Sequence, residues 1–262
     1  MNNSLIDNVE LIARQAGEVI RDGFGKDFIV EFKSSETNLV TEIDKKSEKL
    51  IKEFINQNYP GHGILAEESG AENQNAEYLW VVDPIDGTNN FAHGLPIFSV
   101  SIGVQRNGET ICGIVYDVMR DAAYTAELGG GTYLNGKKIG VNSNSNINHS
   151  MLVTGFPYDV ADNPKNVYEI FGGFLKEARA IRRLGSAAID FCYVAQGVFD
   201  GFWEVHLNPW DMCAGILIVQ EAGGLVTDFS GNKSSIFAPE VLATNGRVHE
   251  TMRKIINKYV VK

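Results

Sequence analysis

The chain has 262 residues, enough for one large domain or two closely packed halves. Hydrophobic residues make up 44% and charged residues 21%, the balance of an ordinary globular protein with a sizeable core. A formal net charge of -10 argues against nucleic acid as a main ligand, because such binding needs basic groups, whereas clustered carboxylates can hold divalent cations.

Residues 4–24 place Leu5, Val9, Ile12, Ala16 and Val19 at helical spacing, and Gly23 and Gly25 end the pattern. Asp7, Glu10, Arg14 and Glu18 interrupt any apolar run of the kind a secretory leader carries. Residues 28–32 alternate like a short strand, and Thr41 is placed to cap a helix over 42–59 that Pro60-Gly61 stops. Short apolar strands at 64–66 and 78–82 each run into carboxylates. A hairpin over 98–118 turns at Asn107-Gly108, and further strands at 122–128 and 132–141 turn at Gly129-Gly130-Gly131 and Asn135-Gly136.

The polar stretch 142–150 is the best boundary between two halves, 1–145 and 146–262, of a single domain (1–262), unless it is only a surface loop. Beyond it come strands at 151–155 and 178–184, a helix over 186–196 and a strand over 198–205. An apolar helix over 211–222, a strand at 241–244 and a helix over 248–259 follow. The sum is a mixed α/β protein with an antiparallel meander in its middle. Cys112, Cys192 and Cys213 sit among apolar residues and read as core fillers rather than disulfide or zinc ligands, which fits a reducing compartment. No run approaches the roughly 18 apolar residues a membrane span needs, so the expectation is a cytoplasmic protein without a membrane partner.

The chemistry concentrates in WVVDPIDGTNNF, residues 80–91. An apolar strand delivers Asp83, Pro84 prevents a helix from continuing, and Asp86 follows one tight turn later. Gly87 permits close backbone approach, and Gly87-Thr88 can open a helix whose free N–H groups face an anion. Carboxylates for a cation beside amides for a phosphate are what metal-assisted phosphoryl transfer requires. Asp-Pro-x-Asp-Gly is also a common surface turn, a reading that the buried entry strand and the other carboxylates weaken sharply. Phosphatases that use a covalent aspartyl nucleophile space their two aspartates two apart; the spacing of three here, with Pro84 after the first, favours attack by water. Glu67 and Glu68 end a neighbouring strand, although paired glutamates are usually just solvated. Asp211 precedes the apolar run AGILIV and reads equally as a ligand or as a helix cap.

WVVDPIDGTNNFAH (80–93) and WDMCAGILIVQEAGG (210–224), with AEES (66–69) and LVTEIDKKSE (39–48) in order, resemble the inositol monophosphatases, magnesium-dependent and lithium-sensitive phosphatases. The resemblance covers nearly the whole chain. It implies the α-β-α-β-α layered sandwich of the inositol monophosphatase and fructose bisphosphatase type, and a homodimer. It implies that Glu67, Asp83 and the Ile85 carbonyl hold one Mg2+, that Asp83, Asp86 and Asp211 hold a second, and that a third binds near Glu67. Gly87 and Thr88 would contact the phosphate through their amides, and Thr88 with Asp44 would position and deprotonate the attacking water. Glu204 resembles the residue that binds a substrate hydroxyl, and Gly185-Ser186-Ala187 the loop lining the polyol site. Asp44 read locally is an ordinary helix charge, and Lys33 is either surface or part of a loop near the third metal.

The activity this implies is hydrolysis of a small phosphate monoester, myo-inositol monophosphate foremost. The alternatives are the 2'-phosphate of NADP, fructose 1,6-bisphosphate and 3'-phosphoadenosine 5'-phosphate, or a non-catalytic dimeric regulatory protein.

Overall fold

The computed structural model describes residues 4–32 and 39–260; Lys33 lies outside the described residues. Helix α1 (Leu5–Gly23) opens on a capping box between Ser4 and Asp7 and buries Val9, Ile12, Ala16 and Ile20. A two-stranded ribbon, β1 (Val30–Phe32) with β2 (Leu39–Thr41), leads into α2 (Glu42–Asn58), capped by Thr41 and Asp44 as a second capping box.

The next strands are β3 (Gly63–Ala66), β4 (Gly70–Glu72) and β5 (Tyr78–Asp86). The short helix α3 (Thr88–Ala92) follows, then β6 (Ser99–Arg106), β7 (Glu109–Asp117), β8 (Ala122–Glu127), β9 (Gly131–Leu134) and β10 (Lys137–Ile139). They form an eight-stranded sheet in the order β10-β9-β8-β7-β6-β5-β3-β4. Its core-facing residues alternate as a strand requires: Trp80 and Val82 on β5 pack towards α1 and α2, while Val81 packs on the opposite face.

The rest of the chain comprises β11 (Met151–Thr154), α4 (Val167–Glu177), β12 (Ala180–Arg182), α5 (Ala187–Ala195) and β13 (Gly201–Val205). It ends with α6 (Pro209–Glu221), β14 (Leu225–Thr227), β15 (Glu240–Thr244) and α7 (His249–Asn257). Five strands make a second sheet in the order β12-β11-β13-β15-β14. Helices α1 and α2 cover the outer face of the large sheet, α5 and α6 lie between the sheets, and α4 and α7 cover the small sheet. The layering is the α-β-α-β-α sandwich expected from the sequence. Helix α6 comes so close to the large sheet that a Cβ on Gly103 would overlap Cys213 Sγ.

Stretch 142–150 connects the two sheets and is tied down rather than loose. Asn144 Nδ2 donates to Asp200 Oδ1 at 2.9 Å, and Asn245 Nδ2 to Asn142 Oδ1 at 2.8 Å. All three cysteines are buried and free. Among the described residues, three strands and one α-helix lie outside those read from the sequence. Strands β2, β4 and β14 span three residues each, too few to show a period. Helix α4 contains Gly172-Gly173, a pair that reads as a break; Gly173 is needed because a Cβ there would meet the Tyr259 ring at 2.5 Å. Among the described residues no helix is long and apolar enough to cross a membrane.

Candidate active site

The site begins where β5 loses its register with β6 between Asp83 and Asp86. Pro84 has no N–H for the ladder, and the resulting bulge lets both aspartates leave the strand on the same side. Asp83 Oδ1 accepts from Ile85 N at 2.9 Å, which closes the turn. Gly87 follows with φ 102°, and a Cβ there would stand 3.1 Å from both the Gly185 and Ile97 carbonyl oxygens, so only glycine fits. The chain then enters α3 at Thr88, and a helix start directs its first amides outward along the axis.

Asp211 arrives from the other half of the chain, in the first turn of α6, with its Oδ2 accepting from Asn208 N at 2.6 Å. The helix-cap reading of this residue is therefore realised, and the same residue lines the cavity. One oxygen from each of Asp83, Asp86 and Asp211 falls within 4.8 Å of the others. The Glu67 carboxyl stands beside them, hydrogen-bonded to Asp83. Burial, and then the negative charges of Glu67, Asp86 and Asp211, push the Asp83 carboxyl well above the ordinary range. Asp211 is raised well above that range by burial and by Asp86 and Glu67. Asp86 is raised by burial to about 6, restrained by donors from the start of α5. Ser186 Oγ donates to its Oδ2, as does Ala188 N at 2.8 Å, while Ala187 N reaches Oδ1 at 3.2 Å. Ser186 and Ala187, expected to line the polyol site, thus also hold a carboxylate in place.

Helix α2 supports the same site from the opposite side. Asp44, Ser47 and Glu48 share one face and all are buried. Thr88 Oγ1 donates to Asp44 Oδ1 at 2.9 Å and approaches the Ile85 carbonyl at 3.0 Å. Ser47 Oγ donates to the Pro84 carbonyl at 3.2 Å, and Glu48 Oε2 accepts from Glu68 N at 2.8 Å. Asp44 is accordingly no surface charge. Burial raises its carboxyl, opposed by hydrogen bonds from Thr41 and Thr88.

Glu67, Asp83, Ile85, Asp86, Gly87 and Thr88 line one cavity of about 130 Å³, together with Gly185, Ser186, Ala187, Glu204 and Asp211. Asp44 reaches that cavity through Thr88. Glu204, on β13, is buried, and desolvation lifts it to about 8 against the attraction of Arg183 and a hydrogen bond from the Gly155 amide. Asn90 has a structural part the sequence did not show: its Nδ2 donates to the Ile97 and Leu184 carbonyls at 2.7 and 2.8 Å, tying the aspartate turn to the 185–187 loop.

Among the residues that line the cavity, two charged ones went unread in the sequence, Arg183 and Asp190. Asp190 is fully buried in the first turn of α5, its Oδ1 has no hydrogen-bond partner, and its carboxyl is pushed well above the ordinary range. A single acid inside the apolar run AAIDFCYVA was the signal available.

The profile of the inositol monophosphatase family matches residues 2–261. The chain belongs to the inositol monophosphatase family. The fructose-1,6-bisphosphatase/inositol-1-monophosphatase of Aquifex aeolicus is 37% identical to it over 258 residues, 97% of this chain and 96% of that protein. The Nus factor SuhB of Pasteurella multocida is 40% identical over 258 residues, 98% and 96% of the two chains. The solved inositol monophosphatase of Anabaena superposes with a TM-score of 0.89 at 38% identity, covering 97% and 95%. As a member of this family the chain is a phosphoric monoester hydrolase. Its acidic triad of Asp83, Asp86 and Asp211 is a donor set able to bind a metal ion. All its donors are oxygens, the kind hard divalent cations prefer, and their mutual repulsion is what a cation would relieve.

Proposed function

We propose that this inositol monophosphatase family member hydrolyses a small polyol phosphate monoester, myo-inositol monophosphate foremost, with magnesium and by attack of water on phosphorus. The observation that carries the proposal is the oxygen triad of Asp83, Asp86 and Asp211 beside the amides that open α3. Glu67, Asp83 and the Ile85 carbonyl would hold one Mg2+, Asp83, Asp86 and Asp211 a second, and a third would bind near Glu67. When bound, they acidify water and neutralise charge on the leaving oxygen.

The chain's own residues have distinct parts. The Gly87 and Thr88 amides hold the phosphate oxygens at the start of α3. Thr88 Oγ1 accepts the proton of the attacking water as its own passes to Asp44, whose carboxyl burial has made more basic. The new bond forms between that water oxygen and phosphorus, and the bond from phosphorus to the alcohol oxygen breaks. Glu204 and the Gly185-Ser186-Ala187 loop orient the alcohol portion on the side away from α2. The chain acts as a single phosphatase domain, since residues on both sides of 142–150 line the cavity.

NADP 2'-phosphate, fructose 1,6-bisphosphate and 3'-phosphoadenosine 5'-phosphate are the alternatives with the same chemistry. The Pasteurella relative is a Nus factor by name; for this chain the assembled carboxylate constellation favours catalysis over a purely regulatory part. The deciding experiment is phosphate release from myo-inositol 1-phosphate and the three alternatives, with magnesium and with a chelator. Release that needs magnesium and is fastest with the inositol ester is the expected result. No release from any monoester in the panel would remove the proposal.

A further inference from the structure

Strand β13 ends at Val205, and His206 immediately takes up a left-handed conformation with φ 59°. A glycine makes such a turn without steric cost, whereas a residue with a Cβ adopts it only when its surroundings hold it there. The surroundings are visible on both sides. His206 N donates to the Pro239 carbonyl at 2.7 Å, fixing the backbone. The imidazole Nδ1 lies 3.1 Å from Asp159 Oδ2 and 3.3 Å from Oδ1.

Residues 156–158 form one wall of the active-site cavity and 204–208 another. Asp159 follows directly on the first wall and His206 belongs to the second, so their contact joins two walls of the same opening. Both side chains are partly exposed, at 38% and 50%. A pair in that position contributes little to stability, no more than the left-handed turn costs. Fold stability alone therefore does not account for it; His206 lines the cavity, and Asp159 follows directly on the lining residues 156–158.

Building on the phosphatase reading, we propose that His206 and Asp159 form a strap across the mouth of the cavity that restricts it to compact monoesters. Polyol and sugar phosphates pass beneath it. Monoesters with a bulky, planar leaving group, such as nucleoside monophosphates, need the strap to open.

The test compares kcat/KM for myo-inositol 1-phosphate and for adenosine 2'-monophosphate in the full-length protein with magnesium. Two variants break the strap independently: His206→Gly, which also frees the turn, and Asp159→Ala, which leaves the backbone at 206 as it is. In both, the preference for the inositol ester should fall at least tenfold, chiefly through a lower KM for the nucleotide. His206→Gly should also melt at a higher temperature than the unaltered protein. An unchanged or increased preference in folded variants overturns the strap. Failure of the unaltered protein to hydrolyse any monoester removes the phosphatase reading and the strap with it.

Discussion

Thr88 Oγ1 donates to Asp44 Oδ1 at 2.9 Å although 44 positions separate the two residues. The bond joins the first turn of α2 to the turn that carries Asp83 and Asp86, and both partners are buried. Thr88→Val keeps the shape and removes the hydroxyl. It should lower kcat by about 10²–10⁴-fold, the range for losing a positioned proton acceptor. Thr88→Ser retains the hydroxyl and should stay within about tenfold of the unaltered protein. Steady-state kinetics on the two variants decide, and equal losses would sink the proton-relay role.

The carboxylates of the site should make the metal-free protein less stable at alkaline pH. Asp86 is raised to about 6 and Glu204 to about 8, while Asp83, Asp190 and Asp211 stand well above their ordinary range. The folded state thus keeps protons that the unfolded chain releases near pH 4. Where the folded state holds more protons, stability falls as pH rises. His249 acts in the opposite direction, because burial lowers it to about 4, and its stabilising contribution is complete above about pH 7. Melting temperature in chelator should therefore decline from about pH 7 to about pH 8.5, with magnesium flattening the decline. A constant or rising melting temperature in chelator over that window would contradict the charge arrangement.

Neutralising one member of the cluster should separate stability from activity. Asp83→Asn can still accept from Ile85 N, yet it removes a carboxyl whose ionisation is opposed by burial and by Glu67, Asp86 and Asp211. Near pH 8 the metal-free variant should be more stable by about 1–3 kcal/mol, the usual benefit of relieving a buried unpaired charge. Turnover should fall by at least ~10²–10³-fold, and magnesium should no longer raise the melting temperature. Calorimetry with and without magnesium checks both halves, and a retained magnesium effect would argue against Asp83 as a ligand.

Much of this arrangement was legible before the structure, because its parts are coded locally. The apolar Trp80-Val81-Val82 run, the Pro84 break and Gly87 specify a strand, a turn and a helix start within a few residues. Asp211 was readable as the acid at the head of an apolar helix. Asp44 was not readable from its surroundings: on α2 it looks like any exposed acid, and only its partner across the fold shows that it is buried. Asp190 was hidden by its apolar neighbours, since period and composition report burial without showing which cavity a buried acid borders. Strands β2, β4 and β14 were illegible for a different reason. Their pairing is set by the neighbouring strand, not by their own sequence.

The packing that delivers Asp211 is itself testable. A Cβ added at Gly103 would overlap Cys213 Sγ and stand 2.9 Å from its Cβ, so β6 and α6 touch with no space for a methyl group. Gly103→Ala should destabilise the protein by about 1–3 kcal/mol through overpacking. Cys213→Ala alone leaves a small void and should cost about 1 kcal/mol, in line with deletion of a small buried group. Because the sulfur is the atom in the way, the double variant should be less destabilised than the two single variants added together, by about 0.5–1 kcal/mol or more. Asp211 sits in the first turn of the helix that must shift, so Gly103→Ala should also weaken the apparent affinity for magnesium, and the double variant should recover part of it. Denaturant melts give the coupling, and magnesium titrations of activity give the recovery. Strict additivity in both would show that α6 accommodates the methyl group without moving Asp211.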